Sequence, residues 1–245
     1  ARHWLRGGFP LSFLSESDAD SFAWRKNFIQ LLLERDLPQW GIRIPAATLL
    51  RFWTMLAHYH GQTWNAAEPA RVLGVSQTTV RNYLDILEGT FMVRVLQPWY
   101  ANLKKRQVKA PKIYFRDSGL LHYLLGIRTD LELHTHPRSG ASWEGYVIEE
   151  VVKAAEPDET WYWASHGGSE LDLLLLKNGK RIGVECKRVD APRLTPSMRT
   201  AMQDLELDRL VVVYPGALEY PLADKATALP LSSIANKTSD NFLGE

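Results

Sequence analysis

Residues 170–188 read Glu-Leu-Asp-Leu-Leu-Leu-Leu-Lys-Asn-Gly-Lys-Arg-Ile-Gly-Val-Glu-Cys-Lys-Arg. Two apolar runs flank Asn178-Gly179, the dipeptide that best tolerates the two positive φ angles of a type I′ hairpin turn. We therefore predict a β-hairpin in which Lys177 lies opposite Lys180. Every other pair across the two strands follows from that register.

This register predicts a charged face and an apolar face, because side chains alternate along a strand. The apolar face comprises Leu171, Leu173, Leu175, Ile182, Val184 and Cys186. The other face carries Glu170 and Lys187, with Asp172 directly opposite Glu185. Opposed like charges destabilise a strand pair. A divalent metal held by Asp172 and Glu185, with Lys187 nearby, would compensate them.

Length and composition limit the number of domains and the class of protein. A chain of 245 residues favours two domains. The hydrophobic share of 45% and the charged share of 23% are typical of globular proteins. The net charge of +1 excludes a uniformly basic polymer-binding protein, but it allows a local basic patch.

Cysteine content and hydropathy point to the cytoplasm. The single cysteine, Cys186, excludes an intrachain disulfide and a cysteine-based zinc site. No apolar run is long enough to cross a bilayer and no secretory signal is present, so we expect no membrane partner. The chain begins at Ala1 rather than Met, which suggests a piece of something longer.

Residues 65–88 predict a helix-turn-helix. Gly74 suits the tight turn, Ser76 suits the N-cap of the second helix, and Pro69 is expected in the first turn of the first helix. The small core would be formed by Ala70, Leu73, Val75, Val80, Leu84 and Leu87. The outward positions carry side chains that can reach base edges or phosphates, namely Gln77, Thr78, Arg81 and Asn82.

A basic segment follows the helix-turn-helix. Residues 91–96 and 112–115 predict two strands of a wing, and residues 100–116 hold six basic side chains and no acidic one. We predict phosphate contacts from Lys104, Lys105, Arg106 and Lys109. A solvated loop, or a docking face for another part of the same protein, is an equally weighted alternative.

The predicted domains are a helical and winged-helix domain over residues 1–126, a linker over residues 127–140 and a second domain over residues 141–245. The second domain begins with a helix near Ser142, followed by a strand, the hairpin, a helix and a buried strand. A hairpin followed by an α-β unit predicts a mixed sheet flanked by helices. The predicted fold class is therefore α/β, and α+β for the whole chain.

Glu144 on that helix, Asp172, and the triplet Glu185-Cys186-Lys187 resemble the PD-(D/E)XK nuclease superfamily, which has a restriction-endonuclease-like fold. The core of that superfamily is a helix, a three-stranded meander, a second helix and a further strand, and the predicted order agrees with it. The resemblance implies that Asp172 and Glu185 bind Mg²⁺. It also implies Lys187 as the catalytic lysine and Glu144 as an accessory carboxylate.

The whole chain also resembles the C-terminal half of a group of prokaryotic AAA-type ATPases that carry a conserved domain of unknown function. This resemblance rests on residues 5–10, residues 33–37, the helix-turn-helix, residues 109–120 and the hairpin. It implies an ATPase domain as a partner within the parent protein. No Gly-x-x-x-x-Gly-Lys-Ser/Thr motif occurs in the chain, so we expect no ATP hydrolysis from it alone.

Three functions remain open at this point. The first is a nucleic-acid-binding module, with DNA as the expected partner and RNA as the alternative, whose nuclease-like site is silent. Its charges would then be satisfied by a Glu170–Lys187 pair, with Arg181 or Arg188 near Asp172. The second is an active Mg²⁺-dependent phosphodiesterase, and the third is an interaction scaffold for the ATPase.

Overall fold

The computed structural model describes residues 2–99 and 110–234. These residues form two compact units, of which the first holds residues 2–95 and 113–146 and the second holds residues 96–99, 110–112 and 147–234. Within the described ranges, no helix has both the length and the apolar composition that a membrane crossing requires.

The first unit is mainly helical. Its helices are, in chain order, α1 (Arg2–Arg6), α2 (Pro10–Phe13), α3 (Asp18–Leu31), α4 (Leu37–Gln39), α5 (Ala46–Tyr59), α6 (Ala67–Leu73), α7 (Gln77–Gly89), α8 (Ser118–Leu124), α9 (Asp130–Thr135) and α10 (Ser139–Ala155). A π-helical turn, Leu32–Asp36, joins α3 to α4, and the last residues of α10 belong to the second unit. The predicted linker, residues 127–140, contains α9 and the beginning of α10.

Helices α6 and α7 form the predicted helix-turn-helix. After α6, Gly74 has a φ of +69°, a left-handed conformation that glycine adopts easily. Ser76 caps α7, because its hydroxyl oxygen accepts a hydrogen bond from the Thr79 N–H at 3.0 Å. The predicted core also forms, with Ala70, Val80, Leu84 and Leu87 buried and Leu73 and Val75 half-buried against them.

Three short strands complete a winged-helix-like arrangement. They are β1 (Gln62–Thr63), β2 (Val93–Leu96) and β3 (Lys112–Phe115), in the sheet order β1-β3-β2. Both predicted strands of the wing are therefore present. The first begins later than predicted, because the chain is still turning after α7 at Phe91, which has a φ of +60°. Phe115 of β3 and Trp53 of α5 share one apolar core with α7, so α7 is backed by packed side chains.

A buried arginine ties the N-terminal residues to α8. The Arg25 guanidinium is fully buried and donates hydrogen bonds to the carbonyl oxygens of Ser21, Leu5 and Gly119. Burial lowers the pKa of Arg25 to about 10. Gly119 lies so close to α1 that a Cβ atom there would be 2.2 Å from the Arg6 carbonyl oxygen. The two segments can approach each other this closely only because residue 119 has no side chain.

The second unit is built on a mixed sheet flanked by helices. Its strands are β4 (Glu159–Ala164), β5 (Glu170–Lys177), β6 (Lys180–Cys186), β7 (Arg209–Tyr214), β8 (Tyr220–Ala223) and β9 (Ala226–Pro230), and its further helices are α11 (Pro196–Asp204) and α12 (Leu231–Ile234). The sheet order is β4-β5-β6-β7-β9-β8. Strands β4, β5 and β6 form an antiparallel meander, and β7 runs parallel to β6 and β9. The predicted fold class is confirmed.

The hairpin between β5 and β6 has the predicted register. Asn178 and Gly179 have φ angles of +51° and +74°, the two positive values that a type I′ turn requires. Lys177 pairs with Lys180, and the pairing continues to Leu173 opposite Val184. The turn chemistry therefore determines which residues follow at the open end of the hairpin.

The pairing of β5 with β4 departs from regular alternation beside Asp172. Strand β4 advances two residues, from Trp161 to Trp163, while β5 advances three, from Leu174 to Leu171. The extra residue in β5 is a β-bulge, a feature that redirects side chains and often lies beside functional sites. Leu171 consequently packs in the same apolar cluster as Leu174. The prediction of strict alternation along this strand is wrong at Leu171.

A glycine-to-alanine pair tests the close approach of α1 and α8. Gly119→Ala would place a methyl group against backbone atoms, so we expect the free energy of unfolding to fall by about 2 kcal/mol or more. Gly140→Ala in α10 meets no atom within 4 Å and should raise it by about 0.5 kcal/mol. Urea denaturation of both variants measures the difference, and equal stabilities would contradict the close contact.

Candidate functional site

Four predicted nucleic-acid contacts lie on one exposed surface of α7. Their side chains, those of Gln77, Thr78, Arg81 and Asn82, are all exposed. They occupy the N-terminal half of the helix, the half that contacts base edges in helix-turn-helix proteins. The acidic side chains Asp85 and Glu88 lie nearer the C-terminal end and would repel phosphate. The other four predicted contacts, Lys104, Lys105, Arg106 and Lys109, lie outside the described residues.

The structure brings two buried carboxylates together at the open end of the hairpin. Asp172 is 9% exposed and Glu185 is 6% exposed. One oxygen of Asp172, Oδ2, accepts a hydrogen bond from the Cys186 N–H at 2.8 Å. That bond crosses from β6 to β5, so the strand pairing itself holds the carboxylate in place.

Glu185 is only partly satisfied by its neighbours. Its Oε1 atom accepts a hydrogen bond from Lys187 Nζ at 2.6 Å. Its Oε2 atom is buried and has no hydrogen-bond partner among the described residues. Burial raises the pKa of Glu185 to about 7; the nearby Asp172 adds to this rise and Lys187 opposes it. A carboxyl group that titrates near neutral pH can accept a proton from water.

The other two ionisable groups have shifted pKa values as well. Burial raises the pKa of Asp172, although the charges of Lys112 and Lys187 and the Cys186 N–H oppose the rise. Burial alone would lower the pKa of Lys187, but the charge and hydrogen bond of Glu185, together with the charge of Asp172, outweigh burial and raise it. Lys187 therefore stays protonated at neutral pH, and it can stabilise negative charge but cannot act as a base.

Lys112 is the site residue that the sequence did not reveal. Its side chain is 6% exposed, and its ammonium group forms an ion pair with Glu170 Oε1. The predicted Glu170–Lys187 pair is therefore wrong, because Lys112 pairs with Glu170 and Lys187 pairs with Glu185. The only sequence signal for Lys112 was its place in a basic segment, which suggested a wing rather than this site.

Two other predicted site residues have hydrogen-bond partners of their own. Glu144 belongs to the first unit, where its Oε1 accepts a hydrogen bond from the Tyr114 hydroxyl. Its role as an accessory carboxylate stays a prediction. Arg181, expected near Asp172, instead donates to the Leu205 carbonyl oxygen at 3.0 Å.

The donor set suits one kind of metal ion. The described residues contain no cluster of three or more His, Cys, Asp or Glu side chains arranged to hold a metal. Mg²⁺ needs few protein ligands, because it keeps several waters and binds through one or two carboxylates together with substrate phosphates. The carboxylates of Asp172 and Glu185 fit that requirement, because Glu185 Oε2 is buried and has no hydrogen-bond partner among the described residues. They do not fit a zinc site that takes all its ligands from the protein.

Comparison with known families gives two matches. Residues 1–131 match the family described as Domain of unknown function (DUF8612), and residues 139–234 match the one described as Domain of unknown function (DUF4143). The first match covers more than half of the chain.

Similar individual proteins come from mycobacteria. The uncharacterized proteins Mb2031c of Mycobacterium bovis and Rv2008c of Mycobacterium tuberculosis are each 52% identical over 233 residues, which is 95% of this chain and 53% of theirs. The chain thus spans about half the length of the curated relatives it matches. The crystal structure of transcriptional regulator PA3341 aligns with 54% of this chain and 93% of its own, at 19% identity and a TM-score of 0.23.

The raised pKa of Glu185 makes stability depend on pH. The folded state holds the Glu185 proton more tightly than the unfolded state, so this contribution is present below pH 4.5 and is lost as pH rises through about 7. Glu185→Gln cannot ionise. Its free energy of unfolding should therefore rise relative to the unsubstituted protein over this interval, by at most about 3 kcal/mol.

Urea denaturation across this pH range, in buffer with a chelator, measures the difference between the two proteins. Asp224→Asn, at an exposed carboxyl group of the same unit, is the matched control and should follow the unsubstituted protein. Parallel pH curves for Glu185→Gln and the unsubstituted protein would contradict the assignment.

Proposed function

The chain belongs to the family described as Domain of unknown function (DUF8612), and we propose that it binds DNA through its winged helix as the C-terminal part of an AAA-type ATPase. The observation that carries the proposal is the exposed polar surface at the beginning of α7, with Gln77, Thr78, Arg81 and Asn82. RNA is the alternative nucleic acid. The ATPase domain would belong to the longer parent protein, and the greater length of the mycobacterial relatives is compatible with it.

The side chains on this surface suit a DNA groove. Arg81 can bind guanine or phosphate, and Asn82 and Gln77 can form paired hydrogen bonds with adenine. Helix α7 is held by the Ser76 cap and by buried Val80, so the backbone that carries these groups is fixed. Such an interface predicts binding that weakens steeply with salt, because bound phosphates release counterions.

Substitution of Arg81 tests the proposed interface. We expect Arg81→Ala to weaken duplex DNA binding by about tenfold, and to reduce the slope of log K against log salt by about one if the contact is to phosphate. Fluorescence anisotropy with DNA and RNA duplexes at several salt concentrations measures both quantities. Arg43→Ala, at an exposed arginine of the same unit, is the matched control and should bind normally. Absence of binding at low salt would favour an interaction scaffold instead.

We also propose a second activity, that of a Mg²⁺-dependent phosphodiesterase. It would reside in the group of Asp172, Glu185 and Lys187 at the open end of the hairpin, which we call the hairpin site. The observation that favours this activity is the buried Asp172–Glu185 pair with an unpartnered carboxylate oxygen and a protonated lysine beside it. Asp172 and Glu185 would hold the ion, which supplies Lewis-acid stabilisation of the phosphate charge and a more acidic water. Lys187 would stabilise the negative charge that develops on the phosphate, and Glu144 is the proposed accessory carboxylate.

Cleavage assays decide between an active and a silent site. With Mg²⁺ or Mn²⁺, the protein should cut single- or double-stranded DNA or RNA, and Asp172→Asn should reduce the rate by at least about a hundredfold. Asp224→Asn changes an exposed carboxylate and should keep full activity. Cleavage that survives Asp172→Asn would remove the assignment. Absence of cleavage together with intact DNA binding would identify the binding module with a silent site.

A further inference from the structure

Among the residues that the structure describes, the charges around the hairpin site are nearly balanced without any added ion. Three carboxylates lie on β5 and β6, those of Glu170, Asp172 and Glu185. Two ammonium groups accompany them, since Lys187 bonds to Glu185 and Lys112 bonds to Glu170. A cation that enters this site therefore meets two carboxylates, those of Glu170 and Glu185, that already have positive partners.

Lys112 is the more unusual of the two lysines, because it does not come from the hairpin. It lies 58 residues before Glu170 in the chain, and it is held in place by the segment that precedes it. The Tyr162 hydroxyl of β4 donates to the Ala110 carbonyl oxygen, and the Lys112 ammonium lies 5.3 Å from the centre of the Tyr162 ring. Lys112 is thus fixed against the same sheet that carries the carboxylates.

Residues that precede the basic segment also bind strand β4, at the same edge of the sheet. The Trp99 N–H donates to the Tyr162 carbonyl oxygen at 2.7 Å, and the Tyr162 N–H donates to the Gln97 carbonyl oxygen at 3.0 Å. The chain is therefore attached to β4 before residue 100 and again at residues 110–112. These attachments leave Lys112 little freedom to move away from Glu170.

Burying a lysine often stabilises a protein less than burying an apolar side chain of similar volume does. Removing an ammonium group from water is unfavourable unless carboxylates compensate it. Glu170, by contrast, is 48% exposed and could be solvated without Lys112. The ion pair is therefore better explained by its effect on the neighbouring carboxylates than by packing.

We propose that Lys112 is a positioning residue of the hairpin site, which holds Glu170 in an ion pair and balances the carboxylate charge, so that a divalent cation binds only in competition with that charge. This inference rests on the proposed phosphodiesterase site. Lys112 touches neither substrate nor cation. It acts through Glu170 and through the electric field at Asp172, and it sets how much divalent cation the site requires.

Cation binding in the absence of nucleic acid tests this role directly. Isothermal titration with MnCl₂ should show that Lys112→Met binds Mn²⁺ about fivefold more tightly than the unsubstituted protein, because one positive charge beside the carboxylates is gone. Lys112→Arg keeps the charge and should bind as the unsubstituted protein does. Lys112→Met with Glu170→Gln removes one charge of each sign and should also return close to that affinity.

A second lysine provides the matched control. Lys177 is buried in the same strand as Asp172, but its ammonium group donates to the Ala155 carbonyl oxygen at the end of α10. Lys177→Met should leave Mn²⁺ affinity unchanged. If Lys112→Met does not fold, Glu170→Gln tests the same ion pair from its exposed side and should weaken Mn²⁺ binding by about fivefold.

The possible outcomes separate this inference from the function on which it rests. Tighter binding by Lys112→Met supports it, even if the unsubstituted protein binds no Mn²⁺. Unchanged or weaker binding by a folded Lys112→Met, or no effect of Glu170→Gln, overturns the role of Lys112 and leaves the metal site standing. Absence of Mn²⁺ binding in every variant overturns both the metal site and the role of Lys112.

Discussion

Two carboxylates placed in the interior of a sheet are the constraint on which the second unit depends. Burial makes the ionised forms of Asp172 and Glu185 unfavourable, and each neighbouring group reduces this free-energy cost in a different way. The backbone of β6 supplies the Cys186 N–H, and the hairpin supplies Lys187. A distant segment supplies Lys112.

In the first unit, the apolar core packs against one side of helix α7 and leaves the other side polar and exposed. The interior of this unit combines an apolar core with a fully buried guanidinium that binds carbonyl oxygens of Leu5 and Gly119. Those bonds join segments that are far apart in the chain. The exposed polar surface on α7 is small, but the helix rests on buried side chains that have almost no room to rearrange.

Features with a local cause were the ones that the sequence predicted. The turn at Asn178-Gly179 requires two positive φ angles, which few dipeptides tolerate, so the hairpin and its register followed from two residues. Ser76 and Gly74 marked the ends of their helices for similar local reasons. The roles predicted for Asp172, Glu185, Lys187 and Glu144 still rest on chemistry and resemblance.

Features that depend on distant partners were not predictable. The bulge in β5 arises from its pairing with β4, which no pattern within β5 announces. The partner of Glu170 is 58 residues away, so spacing within the hairpin pointed to Lys187 instead. Helices α1 and α2 are too short to show a periodic pattern, and α1 is held by its contacts with α8 rather than by its own propensity.

The bulge beside Asp172 makes the position of this carboxylate sensitive to the length of strand β5. A strand that lost its additional residue would keep every pairing up to Leu174 and the whole hairpin turn, so the sheet would survive the deletion. The carboxylate, however, would move relative to β4 and its neighbours. Descendants of such a chain would keep the sheet but not the arrangement of its buried carboxylates, and a single deleted codon would separate the two lineages.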